Sequence, residues 1–510
     1  MAHGRTGARC VLTAALVLAA CSSHPATPRV ADGASPQPTA ARPAGAGGRP
    51  AWSVRSENAL PGTPGWQLKR VGTSHEIEGW ADRTSVLAGH PLGLHVSTTA
   101  PAYTVSAIRV GWYGGTLGRQ VWRSATVRGV ARDQGQIVSS THTLVTSWPA
   151  SLALPTASWP PGDYLLRLDA STGAQRYVPL QVRRPNLARQ TVVVSSDTTW
   201  QAYNAYGGYS LYHGPDGATR SRARVVSFDR PYGIETGQGA SEYMENMRPL
   251  VSLVEQLGID AAYVSDVDLH EQPHLLDGAR AVLLTGHDEY WSAAMRSALL
   301  RARDAGTNLA FFGANSGYRH IRLEPQGTAA GRLEVCYKEP TEDPLYGRDN
   351  ADVTGQWRYP PDPRPESVLT GVFYQSNPVH ADLVVVNPGS WLLAGTHTRV
   401  GSVLPGVVAP EFDRVDLSVP TPRPIEILTH SPLVVNGKPD FADSAYYTVP
   451  SGAAVFASGS IAWINSLQGG GGPQSTVFTT TVTSTVLRAF AAGPSGRAHP
   501  AHDNVSRFYP

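Results

Sequence analysis

Between residues 52 and 184, apolar and polar positions alternate in short runs, the period of strands with one buried face. Leu92, Leu94 and Val96 alternate with Gly93, His95 and Ser97, and Val178, Leu180 and Val182 repeat the pattern within 177–182. Trp159-Pro160-Pro161-Gly162-Asp163 is a turn signal, and 164–168 follows it as a strand. No helical spacing interrupts the region. It predicts an all-β sandwich of the immunoglobulin or fibronectin type over 52–185.

Past Pro185-Asn186 the period changes. Residues 191–195 form a continuous run rich in β-branched side chains, as in a strand buried on both faces. Leu250, Val251, Val254 and Leu257 have helical spacing that Gly258 stops, and 261–264, 281–284 and 309–312 read as further strands. Ser292 can cap a helix whose Met295, Leu299 and Ala302 share a face until Gly306. Alternating strands and helices predict a mostly parallel, doubly wound α/β domain over 186–494. Ligand sites in such sheets lie beyond the carboxyl ends of the strands, where the loops at 196–212, 287–291 and 313–318 would fall. The Pro- and Gly-dense span 341–429, with strand-like pieces at 383–386 and 404–408, reads as an elaboration of that domain. Residues 453–456 and 461–464 read as closing strands, 479–491 as a last helix and 495–510 as a tail.

The first fifty residues follow neither pattern. Arg5 and Arg9 precede an apolar run over 11–20 that Leu18-Ala19-Ala20-Cys21 closes. That run is too short for a membrane span of ~20 residues, so 1–20 reads as a signal peptide with lipid attached to Cys21. Residues 21–51, rich in Pro, Ala, Gly and Ser, should be a flexible tether. The expectation is an extracytoplasmic protein held to the cell membrane by its lipid anchor alone. Only Cys21 and Cys336 remain after cleavage, so a lipidated Cys21 excludes an internal disulfide. The more than 450 residues beyond the tether suffice for two or three hydrophobic cores. A net charge of +2 over 510 residues, with no basic stripe, argues against nucleic-acid binding.

Several motifs are weaker than they look. His270-Glu271-Gln272-Pro273-His274 has zinc-protease spacing, but Pro273 inside it disfavours the helix that would align both imidazoles. Gly313-Ala314-Asn315-Ser316-Gly317 carries its serine one place too late for a nucleophile elbow. Cys336 has no base near it in sequence, and the glycines at 469–472 lack the Lys-Ser/Thr of a phosphate loop. The turn after 281–284 is more informative. His287 and Glu289, two apart, can project into one pocket, as a metal-bound carboxylate with a proton-carrying imidazole would. The same acidic residues could instead cap a helix. Between Thr199 and Tyr212, Tyr203, Tyr206, Tyr209 and Tyr212 crowd into ten residues, either a phenol-lined mouth or aromatic packing that shelves a glycan.

Taken in order, Thr199-Trp200-Gln201-Ala202-Tyr203-Asn204, Ser227-Phe228-Asp229-Arg230-Pro231-Tyr232, Tyr263-Val264-Ser265-Asp266-Val267-Asp268, Gly286-His287-Asp288-Glu289-Tyr290-Trp291-Ser292 and Asn308-Leu309-Ala310-Phe311-Phe312-Gly313-Ala314-Asn315 resemble the C-terminal domain of the N,N-dimethylformamidase large (β) subunit family. The resemblance runs, with gaps, over about 186–494. Ile77-Glu78-Gly79-Trp80 and Gly111-Trp112-Tyr113-Gly114-Gly115 look like the β-sandwich that precedes this domain in many members. The resemblance implies an α/β fold related to class I glutamine amidotransferases, without their cysteine nucleophile, because His287 occupies the turn after the third strand. It also implies one Fe(III), held by two tyrosines and a glutamate, that hydrolyses a small amide.

On this resemblance Glu289 is the iron carboxylate, Tyr203 one phenolate, and Tyr232 the second, with Tyr243 and Tyr212 as rivals. His287 is the proton carrier, and Glu411 in Pro410-Glu411-Phe412-Asp413-Arg414 is a further acid near the site. The expected activity is hydrolysis of C–N bonds in a small amide or an envelope-derived substrate. The sequence leaves room for a small partner subunit but has no feature that points to one. The competing expectation is a non-catalytic envelope protein that binds glycan or peptide through an aromatic-rich cleft.

Overall fold

The alternating stretches of the N-terminal region fold into ladders, as their period requires. A computed structural model describes residues 52–509 apart from 235 and 236. The expected signal peptide, Cys21 and the tether lie outside the described residues. Gly162–Ala170 sits between Gln175–Arg183 and Ala102–Val110, antiparallel to both; Gly118–Arg123 extends one edge and Ser85–Leu87 joins the other in parallel. A second sheet orders Ile77–Ala81, Gly93–Thr98 and Leu152–Ala153. Leu94, Val96, Leu166, Leu168, Leu180 and Val182 share one core, the outcome of burying every second residue.

The seven-stranded sheet that follows is mixed. Thr191–Ser195 lies between Ala261–Ser265 and Ala281–Leu284, parallel to both, and Asn308–Phe311 and Ala454–Ala457 continue in parallel. Lys438–Thr448 and Ile425–Val435 then run antiparallel and form a long hairpin. Its turn is Asn436-Gly437, both with positive φ (50° and 75°), the backbone a tight hairpin turn demands. Another hairpin, Arg319–Gln326 with Ala329–Val335, lies in a separate five-stranded sheet with Val225–Ser227 and Tyr290–Ser292.

These sheets correct the fold class expected from the sequence. A mostly parallel α/β domain of the glutamine amidotransferase type behind an immunoglobulin-like sandwich does not describe the chain. Strands dominate it, in several sheets of antiparallel and mixed order, and among the described residues only three α-helices exceed eight residues. The hairpins are the physical reason, because each adds antiparallel pairing that needs no crossover helix. Residues 461–464 are also corrected: Ala462–Ser466 is a helix, with Ile461 and Ile464 buried one turn apart. The expected helices are present as Arg248–Gln256, Ala293–Asp304 and Pro473–Ala492, and Ser292 Oγ caps the second by accepting from Met295 N at 3.3 Å.

One buried ion pair joins the N-terminal strands to the later helices. Arg109, on Ala102–Val110, meets Glu255, on Arg248–Gln256, through two bonds of 2.8 and 2.6 Å with both side chains fully buried. Tyr263 Oη and Asn58 Nδ2 donate to the same carboxylate at 2.8 and 2.6 Å. Asp163 is a second buried acid, bonded by Tyr243 Oη at 2.6 Å and Gln181 Nε2 at 3.1 Å. Burial pushes its carboxyl up to about 7.

Two measurements check these buried groups. Glu255→Leu strands a desolvated guanidinium and should cost about 3–5 kcal/mol in urea unfolding. A cost below about 1 kcal/mol would show that the pair is not buried as described. Asp163 holds a proton more tightly folded than unfolded, so its contribution is complete below about pH 4 and is lost as pH rises through about 7. Asp163→Asn should therefore flatten the fall in Tm between pH 4 and 8; an unchanged slope contradicts the assignment.

Candidate active site

The site forms where three chain segments end close together. Thr191–Ser195 runs into the helix Asp197–Tyr203, whose last residue is Tyr203. The chain turns back, Leu211 N bonds Ala202 O at 3.0 Å, and Tyr212 stacks on Tyr203 with ring centroids 4.3 Å apart. From the next strand, Ala281–Leu284, the turn carries His287 and Glu289. Thr199 Oγ1 accepts from Glu289 N at 2.9 Å, pinning that turn to the tyrosine helix. Gly313 makes the approach possible, since a Cβ there would lie 1.7 Å from Gly286 O.

Three oxygens converge. Tyr203 Oη donates to Glu289 Oε2 at 2.8 Å, Tyr212 Oη reaches the same atom at 2.7 Å, and the two phenol oxygens are 2.7 Å apart. Arg319 Nε lies 3.5 Å from Glu289 Oε1, and Lys338 Nζ sits 3.0 Å from the centroid of the Tyr212 ring. Burial alone would raise the Glu289 carboxyl, but His287, Arg319 and Lys338 outweigh it and hold it down to about 2. The same burial and the Glu289 charge push both phenols well above their usual value. Burial, with Arg319 nearby, draws the Lys338 ammonium down to about 7.

His287 faces this cluster from the open side. Its Nδ1 meets Glu242 Oε2 at 3.1 Å, which turns Nε2 toward Glu289 Oε2 at 3.6 Å and Glu411 Oε2 at 4.0 Å. Burial opposes a charge on the imidazole, yet Glu242 foremost, then Glu289 and Glu411, raise it well above the ordinary histidine range. Glu411 Oε1 accepts from Asn377 Nδ2 at 2.8 Å, and burial raises that carboxyl too. His287 Nε2 and Glu411 Oε2 are buried without a hydrogen-bond partner. Both residues line a cavity of about 580 Å³ with Tyr203, Glu242, Ala409 and Ile461. A polar group entering the cavity could bond to either atom.

Tyr203, Glu289, His287 and Glu411 are thus brought close together. Tyr232 is not. It is buried near Gln201 and Asp197 and lines a different, small cavity, because Pro231-Tyr232 turns beneath the tyrosine helix. Tyr243 also lies elsewhere, bonded to Asp163. Tyr212 is the other phenol that meets Glu289. Glu242, Asn377, Arg319 and Lys338 were not anticipated; each arrives from a distant segment, and no local spacing marks them. In the zinc-like motif, His270 closes onto Ser292 Oγ at 2.8 Å, whereas His274, past Pro273 and exposed, meets Asp277 at 3.1 Å. The two imidazoles share no ligand position. Cys336 is a buried free thiol whose ionisation burial opposes.

Among the described residues no group of three or more His, Cys, Asp or Glu is placed to hold a metal ion. The cluster on Glu289 is a different donor set, two phenols and one carboxylate. Its oxygens, 2.7–2.8 Å apart, are spaced close to neighbouring ligands on a six-coordinate hard cation, about 2.8–3.0 Å for ~2.0–2.1 Å bonds. Hard anionic oxygens also suit Fe(III) by type, so the residues fit the iron that the resemblance implies.

Residues 104–476 match the family described as N,N-dimethylformamidase beta subunit-like, C-terminal, and the chain belongs to that family. The match begins on the strand Ala102–Val110, well before residue 186, so it includes the strand that carries Arg109. No curated protein matches the chain. Among solved structures, a cycloisomaltooligosaccharide glucanotransferase from Paenibacillus sp., complexed with cycloisomaltoheptaose, is similar at 12% identity and a TM-score of 0.15. That similarity covers 41% of this chain and 19% of that one, and it carries no argument about fold or activity.

Proposed function

We propose that the protein hydrolyses a C–N amide bond at a mononuclear iron site formed by Tyr203, Tyr212 and Glu289. The observation that carries this reading is the convergence of two phenol oxygens and one carboxylate oxygen within 2.8 Å of one another, beside His287 Nε2, which makes no hydrogen bond and lies 3.6 Å from Glu289 Oε2. Membership of a dimethylformamidase-like family supports it. Bound there, Fe(III) would supply a Lewis acid that polarises the amide carbonyl and acidifies water.

The chain's own residues do the rest. Glu242 orients the imidazole and favours its charged form, so His287 Nε2 can present a proton toward the gap it shares with Glu411. Water provides the oxygen of the new C–O bond, the C–N bond breaks, and a proton passes from His287 to the leaving nitrogen. One proton of the attacking water returns the imidazole to its starting form, and the other stays on the new carboxyl group. Carboxylic acid and amine are the products. Ala409 and Ile461 add apolar wall to the cavity. Export and a lipid on Cys21 belong to the same proposal, and place the substrate outside the cytoplasm.

Protein reconstituted with iron should show the visible absorption of an iron–tyrosinate. Tyr212→Phe and Tyr203→Phe should each bleach or shift the band, Glu289→Gln should abolish iron binding, and Tyr232→Phe should change neither. A band lost in Tyr232→Phe and kept in Tyr212→Phe would reverse the assignment. His287→Asn should keep its iron and lower kcat about 10²–10⁴-fold against the amide turned over by the parent protein. Unchanged kcat would remove His287 from the mechanism. Labelling with a fatty-acid precursor should mark the parent chain and spare Cys21→Ser; equal labelling contradicts the anchor.

A further inference from the structure

The cavity before His287 has a one-sided charge. Glu242 and Glu411 line it with Glu245, and among the described residues no lysine or arginine does. A neighbouring cavity of about 410 Å³ shares Tyr203, Glu242 and Glu245 and likewise has no lysine or arginine among its described residues. The two nearby cations, Arg319 and Lys338, line neither cavity; they face Glu289 and the Tyr212 ring.

The acids have different duties. Glu242 is committed to His287 and to Asn246 Nδ2, which donates to it at 2.9 Å. Glu411 spends one oxygen on Asn377 and leaves Oε2 buried without a hydrogen bond, 4.0 Å from His287 Nε2, in a residue only 5% exposed. Glu245 is exposed and lines the cavity two residues before Met247, with no hydrogen bond or ion pair from its side chain among the described residues. Three glutamates, with no lysine or arginine among the described lining residues, make the pocket acidic. A low-dielectric wall concentrates that field on whatever enters.

Resting on the reading of this site as amide-binding, we propose that its substrates are amides that carry a positively charged amine a few bonds from the scissile carbonyl, the amine being held by Glu245. Neutral amides lack the partner for Glu245, and anionic ones meet repulsion from the acids that line the cavity. This selectivity acts on binding and does not depend on the chemistry at Glu289.

The test uses the full chain in detergent, iron-free and iron-loaded, with glycinamide, acetamide and malonamate as probes. Binding is measured by calorimetry at low ionic strength, and turnover is followed separately. Glycinamide should bind about 3- to 10-fold more tightly than acetamide, malonamate should bind most weakly, and salt should narrow the gaps. Glu245→Gln should bring glycinamide toward acetamide and leave acetamide unchanged. Equal binding of the three, absence of binding by all, or a preference that survives Glu245→Gln overturns the inference. Charge-selective binding without turnover of any amide would sink the hydrolase reading and leave the selectivity standing. Turnover indifferent to charge would do the reverse.

Discussion

Glu289 is an ionised carboxylate with almost no access to water, and the surroundings of the site are arranged around that cost. Desolvating such a group costs several kcal/mol unless nearly every lone pair finds a donor or cation. Here the partners come from segments far apart in sequence: the tyrosine helix and its return, the strand bearing Arg319, the Lys338 turn and the adjacent His287. Removing the carboxylate would leave two phenols and two cations without their shared partner. The group that would bind a hard cation is thus also the group that ties these segments together.

The N-terminal strands take part in this arrangement through Arg109. Its pairing with Glu255 fixes the helix Arg248–Gln256, which directly follows the short helix Tyr243–Asn246. Glu242 immediately precedes that short helix and sets the direction of His287. A buried ion pair in one region therefore bears on the imidazole in another. The family match beginning at residue 104, on the same strand as Arg109, is consistent with the two regions working as one unit.

Local pattern made much of this legible. Continuous β-branched residues gave the strand 191–195, and the i, i+2 placement of His287 and Glu289 foretold that both reach one point, now 3.6 Å apart. Alternation placed Leu94, Val96, Leu180 and Val182 in one core. The fold class failed for a specific reason. Asn436-Gly437 is the turn of the antiparallel strands that make the large sheet mixed, and it lies beyond the alternating strand–helix segments on which the parallel expectation rests. Spacing does not single out Tyr212, because the four tyrosines recur every third residue, a repeat that does not by itself tell a facing ring from a packed one. Only the return of the chain at Leu211 decides for Tyr212. Glu242, Arg319, Lys338 and Asn377 reach the site through tertiary contacts, which spacing cannot encode.

The central claim is that Tyr203, Tyr212 and Glu289 together hold one iron. It is tested most directly by crystals of iron-loaded protein measured on both sides of the iron absorption edge. The account predicts a single anomalous peak among Tyr203 Oη, Tyr212 Oη and Glu289 Oε2, absent below the edge. A peak beside Tyr232 or at His270, or no ordered iron near Glu289 in crystals whose protein contains one equivalent, would contradict it.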